Sequence, residues 1–206
     1  MTSNDKQHQL KTAVYERYGP PEVVSIKEVD KPSPKPDEVL LKVHACTVNW
    51  TDVGFRSAIY FVSRFFSGLF RPKQQILGCD FAGVIEEVGR NVIDLKIGDK
   101  IFGFNDQHFG GHAEYMTVSK NNDIAHIPAS ASFAQAAAFS EGGHYALSNI
   151  RAAKVSSGQY VLVYGATGAI GSAAVQIAKH FGAKGTAVAN TKNIELVKNL
   201  GADEMQ

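Results

Sequence analysis

"YVLVYGATGAIGSAAVQIAKHFG", residues 160–182, sets a short apolar run directly before three glycines, Gly165, Gly168 and Gly171, spaced three apart. The run has the character of a parallel strand buried on both faces. Beyond the glycines, Ile170, Ala174, Ile177 and Phe181 step by four, three and four, the spacing of an amphipathic helix, with Gly182 at its C′ end. The order is strand, glycine turn, helix. "GTAVAN" then reads as a second strand and "TKNIELVKNL", closed by Gly201, as a second helix, which gives β-α-β-α. In such a unit the glycines permit tight bending and close backbone approach, while the free N–H groups and the dipole at the helix N-terminus attract a pyrophosphate. Gly165, Ala166, Thr167, Gly168, Ala169, Ile170 and Gly171 are therefore the expected dinucleotide turn. The spacing is GxxGxxG rather than GxGxxG, and glycines at helix starts also serve plain packing. What favours a ligand is the position between a buried strand and an amphipathic helix.

The end of the second strand bears on which dinucleotide. A unit that selects NAD carries Asp or Glu about 20 residues beyond the glycines to bind the ribose 2′-hydroxyl. Asn190 stands there instead, followed by Thr191 and Lys192. A hydroxyl and an ammonium suit a 2′-phosphate that a carboxylate would repel, so NADPH is expected over NADH. In the competing reading Asn190 or Thr191 caps the second helix and Lys192 is a solvated charge.

Upstream the chain has another rhythm. From Lys11 to about Ile127 short β-rich runs such as "EVVSIKEVD", "EVLLKVHACTVN", "FAGVIEEVG" and "DKIFGF" alternate with turn residues, as a closed or partly closed all-β unit requires. Ser132 and Gln135 have capping-box spacing before the alanine-rich helix "FAQAAAFSEGGHYALSNI". The expected division is residues 1–129 and 130–206.

Composition narrows the function classes. With Lys+Arg 21 against Asp+Glu 20 in 206 residues, no overall field points to nucleic acid or an anionic membrane, and any basic site must be local. The polar start "MTSNDKQHQL" lacks the apolar region of a secretory signal. "IYFVSRFFSGLF" comes nearest to a membrane span but is broken by Ser63, Arg64, Ser67 and Gly68, well short of roughly 18 uninterrupted apolar residues. Cys46 and Cys79 are the only cysteines, so two packed thiols in a reducing cytoplasm are expected rather than a disulfide framework.

The order of a β-rich N-terminal unit, "LGCDFAGVIEEVGRNVIDLKIGDKIFGF", "GGHAEYMTV" and "VLVYGATGAIGSAAVQIAKHFGA" resembles the medium-chain dehydrogenase/reductases, in particular their zinc-independent, quinone-oxidoreductase-like branch. The resemblance runs from about Lys11 onward. It implies an α/β protein: a GroES-like β-barrel substrate domain, then the first half of a Rossmann domain, a doubly wound parallel sheet, with the active site in the cleft between them. It also implies hydride transfer from NADPH to quinones, enones or related electron-poor carbonyl compounds.

Zinc-dependent members keep a cysteine in the segment matching "VNWTDV", a histidine in that matching "LGCD", and a Cys or Glu early in the linker helix. Here these positions are Asn49, Cys79 and Glu141. Asn49 is a poor ligand, and the remaining two do not make the three-ligand open site of a catalytic zinc, so no metal is expected. Without one, an electron-poor substrate needs orientation, a dry cleft and donors near the developing oxyanion. Asn49 matches the asparagine that lies beside the nicotinamide in resembling enzymes. Tyr60 is a candidate pocket wall or proton donor. His144 falls near where relatives carry a threonine facing the nicotinamide. Each has a plainer alternative: a turn former, a core aromatic, a satisfied helix histidine.

"GADEMQ" ends the chain where relatives enter a third strand, leaving two parallel strands of the nucleotide sheet with apolar surface uncovered. The expectation is a fragment or a truncated, defective product, whose full-length form would dimerise. Its partner is a small-molecule substrate, with no nucleic acid and no membrane. Two rival readings are a zinc alcohol dehydrogenase and a non-catalytic nucleotide-binding or interaction protein that recruits a partner at its sheet edge.

Overall fold

The computed structural model describes residues 9–206, with Ser63 by its backbone alone. Most of the polar start, residues 1–8, lies outside the described residues. The chain forms two compact units that divide between Ala138 and Phe139.

In the first unit β1 (Gln9–Tyr15) and β2 (Val24–Asp30) pair antiparallel, from Gln9↔Asp30 to Tyr15↔Val24. β3 (Glu38–Ala45) leads through "CTVN" into α1 (Trp50–Ser57) and then the single turn α2 (Arg64–Ser67). β4 (Asp80–Val88), β5 (Lys100–Phe104), β6 (Tyr115–Ser119) and β7 (Asp123–His126) join β3 in an antiparallel sheet of order β6-β3-β4-β5-β7. Bridges at Thr12↔Ala113 and Val14↔Ile76 tie the β1–β2 pair to this unit. The core is Val39, Leu41, Phe81, Ile85, Ile101, Met116 and Val118, all buried. Register shifts between Leu40 and Leu41 and between Val43 and Ala45 interrupt the β3–β4 ladder. Such irregularities turn side chains out of strict alternation, and Val39, Leu40 and Leu41 are buried in succession.

A long helix, α3 (Phe133–Ala152), opens as the capping box predicts: Gln135 N donates to Ser132 Oγ at 3.2 Å and Ser132 N to Gln135 Oε1 at 2.9 Å. Its first turns belong to the first unit, where Ala136 and Ala137 pack with Ala82 beside Phe102 and Phe133.

The second unit continues with β8 (Tyr160–Tyr164), α4 (Ala169–His180), β9 (Lys184–Val188), a 3-10 turn at Thr191–Asn193, α5 (Ile194–Asn199) and β10 (Glu204–Met205). The sheet is parallel with order β10-β9-β8. It therefore holds one strand more than the two read from the sequence. β10 is two residues long, too short for any periodic signal, and is defined by Glu204↔Thr186 and Met205↔Ala187. Nor is β8 buried on both faces. Val163 packs with Val175, Ala187 and Val197 under α4 and α5, while Tyr160, Leu162 and Tyr164 on the opposite face are exposed.

Asp203 fastens this short strand. Its carboxylate pairs with Lys179 and accepts from Gly185 N at 2.8 Å, and Lys179 first, then that amide, hold its pKa below the usual value. A depressed carboxyl pKa stabilises above the unfolded value, and that contribution is lost as pH falls through the lowered folded value. Asp203→Ala should make the Gly185 amide exchange about fivefold faster at neutral pH. In the parent protein the same protection should fade only once pH drops below the ordinary aspartate value of about 3.9.

Candidate functional site

At the carboxyl end of β8 the chain turns on Gly165, which adopts φ +75°, a conformation that penalises any side chain. Gly168 N donates to Gly165 O at 3.1 Å to close the turn, and Ala166 N donates to Val188 O at 3.1 Å to tie it to the end of β9. Ala166 is fully buried, so its side chain packs rather than meets a ligand. Gly168 is the N-cap of α4 and provides no side-chain acceptor. The amides of Ala169, Ile170 and Gly171 open the helix, ahead of its repeating backbone ladder, and they carry the positive end of the dipole.

Space around the turn is divided unequally. A Cβ added at Gly165 would meet nothing within 4 Å, and one at Gly168 only Gly165 O at 3.7 Å. A Cβ at Gly171 would lie 2.2 Å from Gly165 O and 2.9 Å from Ala166 Cα. Gly171 thus lets α4 sit on the turn, while Gly165 and Gly168 leave room outside it, where a diphosphate would lie.

Tyr164 pairs with Val188 in the register, so the turn and the segment after β9 share the carboxyl end of the sheet. Asn190, Thr191 and Lys192 are all exposed there. Asn190 Oδ1 accepts from Lys192 N at 3.5 Å, so Asn190 does cap the turn at Thr191–Asn193, and it keeps its amide N–H groups. Within the second unit the structure therefore brings together both halves of the expected coenzyme site.

In the first unit Asn49 heads α1 in a capping box: Asp52 N donates to Asn49 Oδ1 at 3.1 Å and Asn49 N to Asp52 Oδ2 at 3.0 Å. Asp52 is buried, and its other oxygen accepts from Gly78 N at 2.9 Å, which locks α1 onto the approach to β4. Asn49 Nδ2 donates to Cys79 Sγ at 3.1 Å and to Asp80 Oδ2 at 3.2 Å, and the Thr47 hydroxyl donates to the same oxygen. His112 Nε2 donates to Thr47 O at 2.8 Å. Both amide hydrogens of Asn49 are thereby committed, and a lone pair on Oδ1 is its remaining capacity. In this arrangement Asn49 can accept from an N–H but has no hydrogen left for a substrate oxygen.

Thr47, Asp80 and His112 form a supporting layer that sequence reasoning did not assign. The only local signal was the N-x-x-D spacing of Asn49 and Asp52. A cavity of about 740 Å³ lies in this unit, lined among others by Val43, Val48, Val53, Leu77, Cys46 and His112. Burial first, then the charges of Asp52 and Asp80, push the Cys46 thiol up from its ordinary value, so it remains a thiol at neutral pH.

Tyr60 precedes the 3-10 turn Phe61–Ser63 and is 75% exposed, so it is not a core aromatic. His144 is half-buried in α3, its ring edge-on to Tyr145 with centroids 5.2 Å apart. Of the zinc-ligand positions, Asn49 turns an N–H donor toward Cys79 and not an acceptor toward a shared metal. Among the described residues no three His, Cys, Asp or Glu side chains are grouped to hold a metal ion.

Residues 35–129 match the alcohol dehydrogenase GroES-like domain. Over 212 residues the chain is 35% identical to 2-methylene-furan-3-one reductase of Solanum lycopersicum, covering 98% of this chain and 53% of that protein. It is 34% identical over 205 residues to the chloroplastic NADPH-dependent alkenal/one oxidoreductase of Arabidopsis thaliana, covering 95% and 51%. The quinone oxidoreductase structure from Coxiella burnetii superposes with a TM-score of 0.85 at 30% identity, covering 96% of this chain and 62% of that one. The chain spans about half the length of the curated relatives it matches. A glycine turn at the head of α4, a GroES-like unit before it and these likenesses bear out one resemblance: the chain is similar to the medium-chain dehydrogenase/reductases, in particular to their quinone-oxidoreductase-like branch.

Proposed function

We propose that the protein is an NADPH-dependent oxidoreductase that reduces quinones, enones or related electron-poor carbonyl compounds. The observation that carries this is the open glycine turn, with the first amides of α4 at the same carboxyl end of the sheet as Lys192. The amides of Ala169, Ile170 and Gly171 would hold the coenzyme diphosphate, and the Lys192 ammonium with the Thr191 hydroxyl would face the 2′-phosphate. The names of the relatives, which reduce a methylene-furanone and alkenals or alkenones, support the substrate class. Bound NADPH would supply the hydride from its nicotinamide. Asn49 Oδ1 would accept from a carboxamide or similar N–H, held in place by Cys79 and Asp80. The mainly apolar cavity of the first unit is of a size to take a ring-sized substrate. The reading takes no zinc, on the donor set: the ligand positions hold Asn49, Cys79 and Glu141.

Lys192→Glu tests the assignment. It exchanges a charge-assisted contact for repulsion and should weaken NADPH about tenfold to a hundredfold while changing NADH by less than about threefold. Titration of both coenzymes, followed by oxidation in the presence of a small quinone panel, reads the outcome. Equal weakening of the two would remove the 2′-phosphate from this position.

A further inference from the structure

The segment "IYFVSRFFSGLF", residues 59–70, presents every one of its large apolar side chains to solvent, from 41% exposed at Leu69 to 87% at Phe70. This is not slack chain. Gly68 N donates to Arg64 O at 2.9 Å and Lys73 N to Ser67 O at 2.8 Å. From beneath, the Tyr18 hydroxyl donates to Gly68 O at 2.6 Å and lies 2.8 Å from Ser67 Oγ. The Arg64 guanidinium lies over the rings of Tyr18 and Phe61. A fastened backbone that turns its aromatic residues outward forfeits their burial, and exposed apolar patches of this kind mark sites of association.

Charge says with what. Residues 57–73 contain Arg64, Arg71 and Lys73 and no aspartate or glutamate. Glu16, which Arg71 reaches only as a weaker neighbour, already pairs with Lys27 at 2.7 Å. Protruding aromatics flanked only by cations are the complement of hydrocarbon beneath anionic headgroups. Phe66 and Phe70 are 78% and 87% exposed, and a fluid surface accommodates such projections without a preformed groove. Among the described residues no helix is long and apolar enough to cross a membrane, so the contact is one of lying on the surface.

We propose that residues 59–73 form a peripheral docking surface for an anionic lipid bilayer. The near-zero net charge, from which no membrane was expected, speaks for the molecule as a whole; this one loop carries three cations and no acid.

Sedimentation of the full chain with phosphatidylcholine vesicles, with and without phosphatidylserine, tests this. The protein should partition onto the mixed vesicles, less onto phosphatidylcholine alone, and less again as salt is raised. Arg71→Ala and Lys73→Ala should each lower partition onto the mixed vesicles by about fivefold. Phe66→Ser with Phe70→Ser should lower it at least about tenfold on either vesicle. Both side chains are exposed, so the unfolding midpoint should stay put; were the aromatic variant to misfold, the basic variants and the salt series still decide. Absence of partition, partition indifferent to the variants, or lipid-independent self-association abolished by the aromatic variant would each overturn the proposal. The last result would identify a second copy, or another protein of that kind, as the occupant.

Discussion

Gly171→Val should raise the NADPH dissociation constant by at least about a hundredfold and lower the unfolding midpoint by about 4–10 °C. The Cβ alone would stand 2.2 Å from Gly165 O and 2.9 Å from Ala166 Cα, and both are backbone atoms. No rotamer change relieves that. Either α4 withdraws from the turn, taking its first amides out of register with the diphosphate, or the turn itself opens. Overpacking of this kind costs about 1–3 kcal/mol even where flexible side chains share the strain. Gly168→Ala is the contrasting variant, because its Cβ would meet only Gly165 O at 3.7 Å and the backbone there is extended. It should unfold like the parent yet bind NADPH more weakly, since the added methyl occupies space that the proposed function gives to the coenzyme. Thermal unfolding and coenzyme titration of the two variants separate loss of fold from loss of site. Unimpaired NADPH binding by Gly171→Val would show that the turn is packing alone.

Asn49→Asp should cost about 3 kcal/mol at neutral pH, although Asp caps a helix as well as Asn does. The substitution puts a carboxylate oxygen where Nδ2 now donates to Asp80 Oδ2 at 3.2 Å. Two carboxylates that close cannot both ionise without penalty, so one of the pair acquires a raised pKa in the folded state. A raised carboxyl pKa means that the folded variant binds more protons than the unfolded one. Its deficit relative to the parent therefore grows as pH rises above the ordinary carboxyl value of about 4 and shrinks as pH falls toward it. Asn49→Ser retains a capping oxygen but loses both amide donors, and should be destabilised by about 1–3 kcal/mol with little pH dependence. Denaturant unfolding of both variants across the acid range reads the difference. Identical, pH-independent deficits would show that the Asn49 amide does not face Asp80.

The strand, glycine turn and helix were legible because each is written in local periodicity: "YVLVY" in apolar character, Ile170 to Phe181 in helical steps, Ser132 and Gln135 in capping-box spacing. β10 was not, because two residues carry no period and its position is set by Asp203 bonding across to Gly185. β7 was passed over for a related reason: it is a short edge strand in which Ile124 is the one large apolar side chain. Asn49 was singled out as the asparagine beside the nicotinamide. Its actual partners, Cys79 and Asp80, are some 30 residues away in the chain, and no local pattern joins them. The outward aromatic face at residues 59–70 was visible as composition. What turned it outward, the anchoring of Gly68 and Ser67 by Tyr18, is a long-range contact. Local chemistry was read from spacing, and the orientation of polar groups came from tertiary partners.

The most direct test of the coenzyme assignment is to titrate isotopically labelled protein with NADPH and follow the backbone amides of Ala169, Ile170 and Gly171. The account predicts saturable shifts at these amides, accompanied by Lys192, with NADH producing the same pattern at higher concentration. Saturating NADPH that leaves the head of α4 unmoved would contradict it.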